Sequence, residues 1–414
     1  MAIFRPFRAL RPQRSLAAET VAPPYDVMDR AEAKAMAEGR PFSFLRVTRS
    51  EICLPDETDS YSEAVYAKAK ENLEALIENG RFYREKEPVY LIYRQTMGGR
   101  EQIGAVGCVS IDEYESGTVR RHEMTRVEKE EDRIRHFDVC DANTEPVFLA
   151  FRRNDSLRAA LREWVLSHEA DFDFVAEDGV GHAVWTVGDK EGVGRLEALF
   201  RETPVLYIAD GHHRSASAYR TGMMRRAANP GSGGDEEFNF FMAVAFPEEE
   251  LAIYDYNRVV KDLGGMTADA FVAALGGSFV VEPAGGGPCR PSRPHEFGMY
   301  LGRSWYRLTA RDEAVPKDDI IGALDVSVLQ DRLFRPILGI EDPRTDSRLG
   351  FVGGIRGLAE LERLVDEEGM AAAFALYPVP VGTLLDVADA GLIMPPKSTW
   401  FEPKLGSGLF VHEL

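Results

Sequence analysis

Six consecutive residues, Ala209-Asp210-Gly211-His212-His213-Arg214, concentrate more chemistry than any other stretch of this 414-residue sequence. Leu206-Tyr207-Ile208-Ala209 reads as a buried strand, and a helix is expected from His213 to Ala228. A glycine at such a strand-to-helix turn allows positive φ and a close backbone approach to a ligand. Helix-start N–H groups and the helix dipole favour an anion there. Arg214 adds a planar fork that can grip two phosphate oxygens. His212 and His213 can donate hydrogen bonds or move a proton near neutral pH. Adjacent histidines on a helix do not share a face, so joint metal ligation is not expected. The plainer reading is that Asp210 caps the helix and the histidines are surface residues.

Further stretches can serve the same turn. His122 and Glu123 precede a charged helix over about 126–136, which Thr125 is expected to cap. Adjacent His and Glu can pass a proton or direct magnesium, whereas Glu128 and Glu131 read as a solvated charged face. Asp26 ends the stiff turn Pro23-Pro24-Tyr25-Asp26, as a ligand or simply as part of a turn. Arg258 follows a strand, as a phosphate contact or as an exposed strand-edge charge. Near the C-terminus, Lys397, Ser398, Thr399 and Lys404 lie in a proline-stiffened segment that suits either an anion-facing loop or a tail packed through Trp400 and Phe401. Its spacing is not that of a P-loop.

The elements that must position these residues alternate. Amphipathic spacing predicts a helix over Tyr61–Asn79, with Val65, Ala69 and Leu73 on one face. Strands are expected over 88–93, 103–109, 146–151, 184–187, 205–209 and 239–246. Helices are expected after Asn154, over 195–200, 321–333, 357–366 and 384–390. The glycine-rich stretch 283–288 interrupts a region richer in strands, which reads as an insertion or small subdomain. The expectation is a mixed α/β (α+β) fold, a mixed sheet with flanking helices. It divides into an N-terminal region 1–200 and a C-terminal region 201–414.

Composition narrows the function classes. With 68 acidic against 49 basic residues the net charge is −19, which disfavours bulk nucleic acid as a partner while leaving room for a local anion pocket. No apolar run reaches the roughly 18–20 residues needed to cross a bilayer. The N-terminus shows no secretion signal, so a cytoplasmic location is expected. The four cysteines form no CxxC pair, which argues against a zinc knuckle or a redox dithiol.

Five ordered motifs together resemble a bacterial and archaeal family catalogued as domain of unknown function 1015. They are Ala-Pro-Pro-Tyr-Asp (22–26), His-Glu-Met-Thr (122–125) with Lys129 and Asp132-Arg133, Ala-Asp-Gly-His-His-Arg (209–214), Tyr-Asp-Tyr-Asn-Arg (254–258), and Met-Pro-Pro-Lys-Ser-Thr-Trp-Phe-Glu-Pro-Lys (394–404). More distantly, Asp210-Gly211-His212-His213-Arg214 is similar to the turn of the ParB/sulfiredoxin superfamily in the members that phosphorylate free serine. That likeness implies a phosphate-binding core with insertions, ATP or ADP as donor, Mg2+, and a small hydroxyl acceptor with free serine in the lead. Asp210, Gly211, His213 and Arg214 would then bind phosphate, with Lys397, Ser398, Thr399, Lys404 and Arg258 assisting. His212, His213, His122, Glu123 and Asp26 would carry the chemistry, and Glu123 or Asp26 would meet the magnesium. A phosphate-ester hydrolase and a non-catalytic nucleotide-binding scaffold are the alternatives. His212 stands where sulfiredoxin has its reactive cysteine, which argues against sulfinic-acid repair. The acidic charge and the lack of a basic helix-turn-helix argue against DNA partitioning.

Overall fold

A computed structural model describes residues 2–414. The chain forms two compact units, one of residues up to Leu251 together with Pro403–Leu414, the other of Ala252–Glu402. The boundary expected after residue 200 falls inside the first unit, in a helix, and the C-terminal segment returns to that unit after the whole of the second.

The first unit is built on a nine-stranded mixed sheet. Its strands are β1 (Phe4–Arg5), β2 (Tyr90–Met97), β3 (Arg100–Ser110), β4 (Val119–Arg120), β5 (Val147–Phe151), β6 (Phe172–Val175), β7 (Gly181–Val187), β8 (Leu206–Asp210) and β9 (Phe240–Pro247). The order is β4-β8-β5-β9-β3-β2-β7-β6, with β1 pairing on β3. The β4–β8 and β5–β9 pairs are parallel and the others antiparallel. Every residue of β5 and β9 is buried, which explains why these strands read as continuous apolar runs rather than alternating ones.

Five helices of this unit matter below: α1 (Glu63–Glu78), α2 (Val127–Cys140), α3 (Asp155–Ser167), α4 (Lys190–Arg201) and α5 (His212–Ala228). Leu157 and Leu161 of α3 and Leu196 and Phe200 of α4 join Ile92, Ala105, Val109 and Phe241 in one apolar core. Ala69 and Leu73, one turn apart on α1, join Phe44, Leu45 and Phe82 in a second. Asn154 caps α3 through its side chain, accepting the Leu157 N–H at 3.0 Å. Thr125 does not cap α2: Arg126 holds the cap position, and the Thr125 hydroxyl donates to Glu130 instead.

The second unit is an antiparallel six-stranded sheet. Its strands are β10 (Tyr256–Val260), β11 (Phe279–Pro283), β12 (Glu296–Leu301), β13 (Ser304–Ala310), β14 (Leu349–Gly353) and β15 (Ala372–Ala375), in the order β11-β13-β12-β15-β10-β14. The strand-rich character expected here is what forms. The helix expected over 321–333 is shorter. Asp325–Leu329 is α-helical and Gln330–Phe334 widens into a π turn. Among the described residues no helix is long and apolar enough to cross a membrane.

Candidate active site

Strand β8 ends at Asp210, where its pairing with β5 shifts register between Ile208 and Asp210. Such an irregularity re-aims side chains at the end of a strand. Gly211 follows with φ 91°, a conformation that only glycine adopts without strain. Helix α5 then begins at His212, and its first internal bond runs from the Ser215 N–H to the Gly211 carbonyl at 2.9 Å. The N–H groups of His212, His213 and Arg214 have no acceptor among the described residues. Asp210 does not cap them.

The carboxylate of Asp210 instead lies between two cations, accepting from Arg214 Nη2 at 2.9 Å and from Lys404 Nζ at 3.2 Å. Burial works against its charge, but Lys404 and Arg214 outweigh burial and hold the carboxyl well below the usual carboxylate range. Arg214 is itself buried, and its Nη1 donates to the Pro146 carbonyl at 2.5 Å. Its two terminal nitrogens are therefore committed within the protein, which corrects the expectation of a free fork. Its Nε has no partner.

Strand β4 runs parallel beside β8 and delivers the loop that carries His122 and Glu123. His122 is 1% exposed, and neither of its ring nitrogens has a partner. Its ring meets the His212 ring edge-on at 4.5 Å between centroids. The His122 N–H points to His212 Nε2 at 3.4 Å, while His212 Nδ1 lies 3.9 Å from a Glu123 carboxylate oxygen. Burial pushes the His122 imidazole down to about 4. Burial, then the neighbouring His122, also lowers His212 well below the ordinary histidine value. Both rings are neutral near pH 7. His213 Nε2 accepts the Arg126 N–H at 3.0 Å, so the tautomer with the proton on Nδ1 fits this bond. Burial lowers its pKa as well.

Beneath the turn lies a set of charges that the sequence reading did not place. Glu145, 1% exposed, accepts the Tyr25 N–H at 3.0 Å and the Ser407 hydroxyl at 2.9 Å. Its second oxygen faces Arg133 Nη1 at 3.8 Å, beyond hydrogen-bond distance. Arg133 is bound by Asp132 through Nε at 2.9 Å and Nη2 at 2.8 Å, and its guanidinium lies 4.0 Å over the Tyr25 ring. Tyr25 is thus fixed on both sides. Asp26, the next residue, is exposed and acts electrostatically on His213 and Arg214. The Pro-Pro-Tyr-Asp turn is an anchor with a carboxylate at its tip.

The first unit therefore assembles Asp26, His122, Glu123, Asp210, Gly211, His212, His213, Arg214 and Lys404. Arg258, Lys397, Ser398 and Thr399 belong to the second unit. Arg258 is not an exposed strand-edge charge. Strand β10 is interior, between β15 and β14, and Arg258 is buried, donating to the carbonyls of Tyr256 at 2.6 Å and Lys397 at 2.9 Å. Ser398 is buried and donates to the Pro395 carbonyl at 2.6 Å. Exposed Lys397 has φ 57° and its Nζ lies 5.7 Å from the Tyr256 ring centre.

Among the described residues no three His, Cys, Asp or Glu side chains gather as a metal cage. Asp26 and Glu123 are exposed carboxylates. That donor set suits a magnesium ion arriving on phosphates, which needs only one or two protein carboxylates, and does not suit an all-protein site.

The family model described as "Protein of unknown function (DUF1015)" matches residues 4–327. The chain belongs to this family. Four of the five DUF1015 motifs fall inside the matched range; the segment 394–404 lies beyond it. No curated protein matches the sequence. Among solved structures, a conserved hypothetical protein from Pyrococcus furiosus is 12% identical, with a TM-score of 0.34, covering 73% of this DUF1015 chain and 95% of its own. A mutant free serine kinase in complex with ADP is 12% identical, with a TM-score of 0.34 and coverage of 73% and 92%. SbnI with a C-terminal truncation, from Staphylococcus aureus, is 10% identical, with a TM-score of 0.36 and coverage of 72% and 84%.

Proposed function

We propose that this chain transfers a phosphoryl group from a nucleotide to the hydroxyl of a small metabolite, free serine being the first candidate. The observation that carries the reading is the open start of α5. Three main-chain N–H groups without acceptors stand beside His122, a buried imidazole without partners. Oriented amides at a helix start hold phosphate oxygens, and their preorganisation lowers the cost of charge developing on the transferred group. Lys404 adds positive charge, and Asp210 keeps Lys404 and Arg214 in register. Neutral His122 and His212 can each donate one hydrogen bond without adding charge.

In the transfer, the acceptor oxygen forms a bond to phosphorus as the bond from phosphorus to the bridging oxygen breaks. The hydroxyl proton passes to Asp26, and the electron pair stays on the nucleotide leaving oxygen. Phosphoryl transfer needs alignment and charge neutralisation more than covalent help from the protein. Magnesium, bound with the nucleotide through Glu123, would neutralise phosphate charge. We infer a cytoplasmic setting, which the nucleotide requirement supports.

The test is incubation with serine, ATP or ADP and magnesium, with product read by phosphorus NMR. Phosphoserine is expected, and Asp26→Asn, which removes the proton acceptor, should lower its rate by about 10²-fold or more. Inorganic phosphate released without an acceptor would replace the kinase with a hydrolase. A nucleotide-dependent rise in Tm without turnover would leave a binding protein.

A further inference from the structure

Four arginines are buried among the described residues: Arg11, Arg133, Arg214 and Arg258. Three have carboxylate partners. Arg11 contacts Asp171 at 2.7 Å and Glu85 at 2.9 Å, Arg133 contacts Asp132 at 2.8 Å, and Arg214 contacts Asp210 at 2.9 Å. Arg258, 4% exposed, has none among the described residues. Its acceptors are the main-chain carbonyls of Tyr256, Asn257 and Lys397, and its guanidinium lies 4.6 Å from the Phe351 ring centre. A desolvated charge without a counter-ion is costly, and carbonyl dipoles and an aromatic face offset only part of that cost.

Arg258 lines a cleft of about 200 Å³ wholly within the second unit. Phe334, Leu349 and Pro396 make its walls apolar, and Ser327 and Gln330 add polar groups. One side is the π turn Gln330–Phe334, a backbone irregularity frequent at functional sites. At the rim Asp331 is already paired with Arg335 at 2.6 Å, so it does not neutralise Arg258. At ~30 Å³ per water the cleft has room for about six or seven waters, the scale of a small organic molecule. A largely apolar chamber with a buried cation, and a second arginine, Arg335, held at the rim by Asp331, has the composition of a small-ligand site.

We propose that this cleft is a second ligand site, for a small monocarboxylate with an apolar body whose carboxylate pairs with Arg258. The site stands independently of the phosphoryl-transfer reading, because no residue of the candidate active site lines it.

The experiment is calorimetric titration of the full-length protein with benzoate, and in parallel with benzyl alcohol, its neutral counterpart, and inorganic phosphate. Benzoate is expected to bind, with benzyl alcohol at least tenfold weaker and phosphate silent. Pro343→Trp, on the rim of the cleft, should weaken benzoate at least tenfold, and so should Arg258→Met. If Arg258→Met fails to fold, Pro343→Trp alone carries the localisation. No heat with benzoate, binding of phosphate alone, equal binding of benzyl alcohol, or benzoate binding unchanged in Pro343→Trp would each overturn the proposal.

Discussion

The two units treat buried charge in opposite ways. In the first, buried guanidiniums are matched to carboxylates, and seven of the eight histidines of the chain lie there. In the second, the buried Arg258 is met by carbonyls and aromatic rings, and His295 is the sole histidine. The difference teaches where to look for function. On the proposed reading, a paired network fixes groups around an opening for phosphate, whereas an unpaired cation marks a place where the anion would come from outside.

The largest expected effect breaks this comparison directly. Arg214→Met leaves the Asp210 carboxylate with Lys404 alone and the Pro146 carbonyl without its donor, and should cost about 3 kcal/mol or more in chemical denaturation. Arg258→Met leaves no carboxylate behind and loses bonds to carbonyls, so about 1–3 kcal/mol is expected. Equal losses would erase the distinction between the units.

Acid should separate them next. Folded His122 has its pKa lowered to about 4 from an ordinary 6.5, so the unfolded chain binds more protons between those values. The stability it contributes is full above about pH 6.5 and falls by about 3 kcal/mol as the pH drops to 4. His182, lowered to about 4, and His136, lowered to about 3, both by burial, act in the same direction. Glu113, raised to about 7 by burial, offsets part of this. In the second unit Asp325 is raised to about 6 by burial. Its contribution is present in acid and lost as the pH rises through 6. Between about pH 6.5 and 4, amide protection, corrected for the slower intrinsic exchange in acid, should therefore fall first in peptides of the first unit. Earlier loss of protection within 252–402 would contradict this.

Much of the candidate-site turn was legible in the sequence because its signal is local. A buried strand, a glycine and a polar helix start occupy nine residues, Leu206–Arg214, and the helix begins within one residue of the expected position. What escaped is long-range. Glu145 meets Tyr25 across 120 positions, and Arg214 reaches the Pro146 carbonyl across 68. Nothing in the local pattern around Glu145 announces either contact. The C-terminal motif misled by continuity: Lys397 and Lys404 are seven residues apart, yet they belong to different units. Arg258 read as a phosphate contact or as an exposed strand-edge charge, because charge in a short strand is usually exposed. Its burial depends on β14 and β15, which come more than eighty residues later.

A smaller effect sharpens the account of the turn itself. A Cβ on Gly211 would lie 3.1 Å from Arg214 Nε, at a φ of 91°. Gly211→Ala should cost about 1–2 kcal/mol in stability and weaken nucleotide more than it weakens benzoate. Equal weakening of both would point to general damage rather than to the turn.

The most direct measurement is calorimetric titration of the wild type with ADP and magnesium, repeated on His213→Ala. The open amides at His212–Arg214 predict saturable binding in the wild type, and loss of the His213 Nδ1–H donor predicts at least tenfold weaker binding in the variant. No detectable binding of ADP by the folded wild-type protein would contradict a phosphate site at the start of that helix.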